Sequence, residues 1–145
     1  MAANTAPIFT LLGQVASDSA TAMAPTFTTA AADYTGATAT HNKIVFTADP
    51  TNGSFIVKLR FKAIGSNVVT VARIFLNNGS ANTTAANNSF FGEISLPATT
   101  ASATVATAEI DYPMNFALPP GFRIVVGLGT TVASGWVVTP LAGDY

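Results

Sequence analysis

Reactive groups are few in this chain. It has one histidine, His41, seven carboxylates and no cysteine. A catalytic imidazole needs an orienting acid and a nucleophile within reach. Asp33, Asp49 and several serines are present, but no G-x-S-x-G elbow or comparable frame accompanies them. His41 therefore reads as an exposed or capping residue at a strand start. The carboxylates are Asp18, Asp33, Asp49, Glu93, Glu109, Asp111 and Asp144. Glu109 and Asp111, two apart, share one face of an extended chain. They are the candidate pair for glycosidase chemistry, which needs two carboxyl groups facing a cleft. No aromatic platform surrounds them in the sequence, so an outer strand face is the expectation. A single histidine and no cysteine remove zinc frames, and no D-x-D-x-D-G calcium loop occurs. Gly127-Leu128-Gly129 lacks the third glycine and following helix of a phosphate loop, and reads as a close backbone approach or a bulge. The expectation is a non-enzymatic protein with no catalytic, cofactor-binding or metal residues.

The cations are more organised. Lys58, Arg60 and Lys62 alternate with apolar residues, and they are half of the six cations in the chain. Side chains alternate across a strand. Phe55, Val57, Leu59, Phe61 and Ala63 should then line a buried face, with Ile56, the cations and Ile64 opposite. Three cations without interleaved exposed aromatics give a small electrostatic term for nucleic acid. The stripe is better matched to Glu109 and Asp111 across a sheet, within one chain or between subunits, where opposed charges set register. Gly65-Ser66-Asn67 is turn chemistry, and Val68 to Leu76 is apolar on both faces. The segment from Ser54 to Leu76 therefore reads as a hairpin with a deeper second arm.

Strands are also expected over Pro7–Val15, Pro25–Thr29, Asn42–Thr47, Phe90–Leu96, Thr104–Tyr112, Phe122–Thr130 and Trp136–Thr139, the last closed by Pro140. Ala16 to Ala24 reads as a loop or one helical turn. Asp49-Pro50-Thr51-Asn52-Gly53 is a dense turn signal. Asn77 to Ser89 carries no apolar residue larger than alanine and reads as a long surface loop. Pro113 to Gly121, with three prolines, reads as a rigid crossing connection. About eight short strands without a long amphipathic helix predict an all-β antiparallel sandwich, jelly-roll-like. One domain is expected over 1–145, with short N- and C-terminal extensions.

Composition bounds the partners. Charged residues are 9% and the net charge is −1, against about 25% charged in ordinary globular domains. Nucleic-acid binding is not expected without a basic excess. Little charge opposes association. No apolar run reaches the length of a membrane helix, and Met1 to Thr10 lacks the pattern of a secretory signal. The N-x-S/T sequons at Asn52, Asn78, Asn82 and Asn87 read as turn composition rather than glycan sites. Trp136 reads as core. Tyr34, Tyr112 and Tyr145 are candidate contact aromatics.

Several phrases carry a resemblance. They are M-A-A-N-T-A-P-I-F at the start, R-F-K-A-I-G-S-N-V-V-T-V-A-R-I-F-L-N-N-G and I-S-L-P-A-T-T. M-N-F-A-L-P-P-G-F-R-I-V-V-G-L-G-T and the final G-W-V-V-T-P-L-A-G-D-Y complete the set. Together they resemble the small Ala/Thr-rich virion proteins of tailed bacteriophages, most of all capsid decoration (cement) proteins. The resemblance implies a single jelly-roll-like sandwich on the outer capsid surface, made in the host cytoplasm. It implies a homotrimer, or a dimer, that bridges neighbouring major capsid proteins and brings no catalytic residue. Segments with the least claim on the core are then the expected contacts: Pro7, Ile8 and Phe9, then Asn78, Asn82 and Asn87, and finally Tyr145. Lys58, Arg60, Lys62, Glu109 and Asp111 are the expected subunit-register set. The alternative is an adhesion module of a tail or fibre, using exposed aromatics such as Tyr34 or Trp136 on a receptor or glycan.

Overall fold

Alternating and continuous apolar runs fold into nine strands in the computed structural model, which describes residues 13–14, 26–31, 33–38 and 40–145. They are β1 (Gly13–Gln14), β2 (Thr26–Phe27), β3 (Lys43–Thr47), β4 (Ser54–Ala63) and β5 (Thr70–Asn77). β6 (Asn88–Leu96), β7 (Glu109–Leu118), β8 (Arg123–Leu128) and β9 (Trp136–Asp144) follow, with one 3-10 turn at Ala85–Asn87. The first sheet has the order β1-β9-β4-β7, with β2 also on β9. The second has the order β3-β8-β5-β6. Every strand pairing is antiparallel. The chain crosses from sheet to sheet as it runs, which is the winding of a jelly roll. The all-β sandwich expected from the sequence is therefore the observed fold.

The two inner faces meet in one core. Trp136, Phe27, Phe61, Ile56, Leu59 and Val138 come from the first sheet, and Phe46, Ala72, Ile74, Ile124, Val126 and Leu128 from the second. Each fully buried large side chain here is worth roughly 1.5–3 kcal/mol relative to exposure. Among the described residues of the segment before β3, Ala31, Gly36 and Asn42 lie over the outer face of the second sheet, against Gly127 and Phe75. Phe75 points to that face, yet it is fully buried. A Cβ on Gly36 would stand 2.9 Å from its ring. The backbone of Ala31 donates to Leu128 O at 2.7 Å, tying the cover to the last residue of β8.

Four expectations change. The segment from Ser54 to Leu76 is not a hairpin: β4 pairs β7 and β9, whereas β5 pairs β6 and β8. The turn residues Gly65 to Asn67 carry the chain between sheets. Second, the alternation in β4 breaks. Ile56 is buried and Val57 is 44% exposed, because the register shifts between Ile56 and Lys58 against both neighbours. A bulge puts two successive residues on one face. Third, Pro113 to Leu118 is strand, and only residues 119–122 connect β7 to β8. β7 is an edge strand, where a missing N–H is tolerated. Residues 104–108 are loop instead. Fourth, Pro140 does not end β9. On the side of β9 away from β4, β2 pairs at Trp136–Val137 and β1 at Ala142–Gly143. Pro140 falls between these short strands, where no described strand requires its N–H. The expected strand Pro7–Val15 is described only at Gly13–Gln14, and Ala16 to Ala24 lies outside the described residues.

Candidate functional site

The charged stripe lies on the outer face of the first sheet. Arg60 is opposite Asp111 and Lys62 opposite Glu109 in the β4–β7 register. Lys58 Nζ reaches Asp111 Oδ2 at 2.5 Å, and Arg60 Nε lies 3.1 Å from Asp111 Oδ1 and 3.4 Å from Glu109 Oε1. Lys62 Nζ donates to Thr107 O at 2.8 Å. The pairing is therefore made within the chain, one of the two arrangements the sequence left open. Hydrogen bonds from Lys58 and then Arg60 hold the Asp111 carboxyl below its usual range. The same contact raises Arg60 above its ordinary value. A carboxylate held ionised by two cations on an open face is poorly suited to donate a proton. Glu109 and Asp111 thus have the geometry of a sheet-surface ion network rather than of an acid–base pair.

His41 is half-buried in the turn before β3. It lines a shallow pocket with Phe27, Thr28, Thr29, Thr40 and Lys43, and no carboxylate is among those walls. Lys43 Nζ is already committed to Thr26 O at 2.8 Å. Asp33 does more. Its Oδ1 accepts the backbone N–H groups of Thr35 at 2.8 Å and Gly36 at 2.6 Å. Its Oδ2 accepts the Thr38 hydroxyl and the Asn42 amide. Desolvation raises the Asp33 pKa, but these donors outweigh it and leave it below the usual carboxylate value. Asp33 is thus the organiser of the segment that covers the second sheet. The sequence offered it only as an acid that could orient His41. Gly127 completes the fit: a Cβ there would lie 1.9 Å from Asn42 Oδ1. Of the two glycines in Gly127-Leu128-Gly129, Gly127 thus makes the close approach, whereas Gly129 has only ordinary contacts.

The expected contact residues that are described, Asn78, Asn82, Asn87 and Tyr145, gather at one end of the sandwich. Asn77 is opposite Arg123, and Arg123 Nη1 donates to Ser80 O at 3.2 Å. β9 ends beside the start of β4, where Tyr145 N meets Gly53 O at 3.4 Å. Gly13, the first residue of β1, is opposite Gly143 at this same end. The loop between β5 and β6 is shorter and better braced than expected, spanning 78–87. Asn78 Oδ1 accepts Ser80 N at 3.0 Å, and Asn87 Nδ2 donates to Ala81 O at 2.9 Å. Asn82 Nδ2 reaches Asn42 O at 3.4 Å, joining the loop to the cover segment. These three asparagines shape the loop. What it presents outward is Asn78, Ser80, Ala81 and Thr83 to Ala86, all exposed. Asn52 lies in the neighbouring turn, its N–H bonded to Asp49 Oδ1 at 2.6 Å. Pro7, Ile8 and Phe9 lie outside the described residues.

The aromatics separate into core and surface. Trp136 is fully buried and lines no groove. Tyr34 is 59% exposed. Its ring stacks on the Arg73 guanidinium at 4.0 Å and meets Phe90 edge-on at 5.5 Å. Arg73 in turn donates to Ala31 O and Asp33 O, and forms a long ion pair with Glu93 at 3.9 Å. Tyr112 packs beside Phe91 at 6.4 Å between the two edge strands β6 and β7.

No family model matches the chain, and no curated protein or solved structure matches it. Among the described residues no helix is long and apolar enough to cross a membrane.

Proposed function

We propose that the chain is a non-enzymatic structural protein of a phage virion, a capsid decoration (cement) protein. In this reading it binds the outer capsid surface, bridges major capsid proteins and stabilises the head. It acts there as a homotrimer or dimer, without cofactor, nucleic acid or membrane. The observation that carries the reading is the gathering of the expected contact segments. Among the described residues, the braced asparagine loop 78–87 and Tyr145 stand together at one end of the sandwich. A braced loop loses little entropy on docking, which is the advantage of a preorganised surface. Repetition around a symmetric shell then multiplies a modest affinity through effective concentration. The resemblance of the quoted phrases to decoration proteins supports the same assignment.

Cryo-electron microscopy of the particle that carries the chain tests it. The expected result is density on the outer shell at a local three-fold or two-fold axis. Density confined to the tail, or none on the particle, withdraws the assignment.

A second reading, adhesion to a receptor or glycan from a tail or fibre, draws on Tyr34. An exposed ring held in place by Arg73 and Phe90 is a platform on which a sugar face can stack. Binding of cells or arrayed glycans that Tyr34→Ala abolishes would favour this reading over the first.

A further inference from the structure

The opposite end of the sandwich is built from the loops 64–69, 97–108 and 129–135, and none of their 25 residues is charged. Four large aliphatic side chains stand exposed on it: Ile64 at 51%, Val68 at 55%, Val69 at 64% and Val105 at 67%. Flexibility does not account for the exposure, because side-chain bonds lock these loops together. Asn67 is buried at their junction. Its amide nitrogen donates to Gly65 O at 3.3 Å, Thr99 Oγ1 at 3.1 Å and Gly135 O at 3.1 Å. Its oxygen accepts Ser134 N at 3.0 Å and Gly135 N at 2.7 Å. Ser66 Oγ accepts Ala101 N at 2.8 Å, and Thr107 Oγ1 donates to Ala63 O at 2.6 Å. The charges begin at the border: Lys62 and Glu109 near the ends of β4 and β7, Arg73, whose Nη2 lies 3.5 Å from a Cβ built on Gly129, and Lys43, bonded to Thr26 O.

We propose that this uncharged end is the surface through which the chain binds a second copy of itself. The argument for that occupant is symmetry and size. In a closed assembly, residues near the axis meet their own copies, so any charge there would face a like charge. A surface with none satisfies that condition, and it also matches an identical uncharged surface. Gly65, Asn67, Val132 and Gly135 are buried, and the other 21 residues stand at the low end of the roughly 20–30 a side of a standard interface. An apolar centre without charge, inside a polar border, is the usual anatomy of such a contact. Lys62 and Glu109 at the border, with Arg60 behind them, are then placed to fix register around the axis. The proposal does not depend on a virion role and is tested on the purified full chain.

Sedimentation velocity is the first measurement, on the wild-type chain and the Val69→Asp/Val105→Asp double variant. The expected result is an oligomer that the double variant converts to monomer at equal concentration. Far-UV dichroism and Trp136 fluorescence should stay native. Val57→Asp, an equally polar change on the outer sheet face, should leave the oligomer intact. A monomeric wild type at tens of micromolar, or an oligomer that survives the double variant, overturns the proposal. Because the chain has no cysteine, a second arm needs no destabilising charge. Val69→Cys should cross-link between chains with a short bis-maleimide, whereas Asn78→Cys at the far end should not. Cross-linking through Asn78→Cys alone would place the interface at the other end and refute the assignment even if the double variant failed to fold.

Discussion

At the scale of single residues, two polar side chains fix loops, Asn67 at one end of the sandwich and Asp33 over the outer face of the second sheet. Asn67 makes five hydrogen bonds from a buried position, four of them to backbone groups in two loops and one to the Thr99 hydroxyl in a third. Truncation strands buried donors and acceptors, each costing about 1–3 kcal/mol when unsatisfied. Asn67→Ala is expected to lower stability by about 3 kcal/mol in urea unfolding, since water will re-satisfy some of the groups. Asn67→Asp should recover little, because a carboxylate cannot donate to Gly65 O and Gly135 O. Asp33 gives a pH-dependent counterpart. Its pKa is lower in the folded chain, through donors that overcome desolvation, than in the unfolded chain, where Asp titrates near ~3.9. Its stabilisation is therefore fully present above that pH and disappears as the pH falls through the folded value. The gap in urea midpoint between wild type and Asp33→Asn should be clear at about pH 6 and close towards about pH 2.5. A gap that stays constant over this range would mean that Asp33 acts through shape alone.

At the scale of elements, the bulge across β4 and β7 decides which face each side chain takes. Opposite the break lies Asn115, with φ of 54°, the one described non-glycine residue in the left-handed region. Asparagine tolerates that conformation, whereas a β-branched side chain does not. Asn115→Gly should leave the thermal midpoint nearly unchanged, and Asn115→Val should cost about 1–2 kcal/mol. Equal effects from both would show that the side chain, not the backbone, matters there. This element also marks where the sequence stops being legible. Strand identity was readable in Lys43–Thr47, Ser54–Ala63 and Arg123–Leu128, because apolar alternation and flanking turn residues are local signals. The bulge was not, since Val57 has the same apolar character as Ile56 and only the register tells them apart. Partner choice was hidden as well. Gly65-Ser66-Asn67 has turn chemistry whether the chain doubles back or crosses to the other sheet. Pro113 and Pro140 misled for the same reason: proline forbids a central ladder position, but an edge is a property of the whole sheet. Of the candidate sites, the Lys58/Arg60/Lys62 match to Glu109/Asp111 was legible from sign and spacing. The Tyr34–Arg73 stack was not, because residues 34 and 73 have no sequence pattern in common.

At the scale of the whole molecule, the two sheets are one cooperative object. β1 is paired with β9 across the full length of the chain, Gly13 with Gly143, and β9 is in turn paired with β4. Neither sheet can form from neighbouring strands alone, because consecutive strands mostly belong to different sheets. Sheet formation and core burial should therefore be a single event. Trp136 reports on it directly, being the only tryptophan and fully buried where β2, β4 and β9 meet. In guanidinium titrations, Trp136 fluorescence and far-UV dichroism are expected to share one midpoint and one slope. Such non-local pairing also makes closure slow, so refolding should fall in the millisecond-to-second range of β-sandwiches. Removing β9 by stopping the chain before Trp136 takes away the central partner of β1, β2 and β4 together. The truncated chain should show the collapsed amide dispersion of an unfolded polypeptide in a two-dimensional NMR spectrum. A truncated chain that kept the dispersed resonances of the β3-β8-β5-β6 sheet would show that the second sheet folds by itself. The molecule would then be two stacked units rather than one.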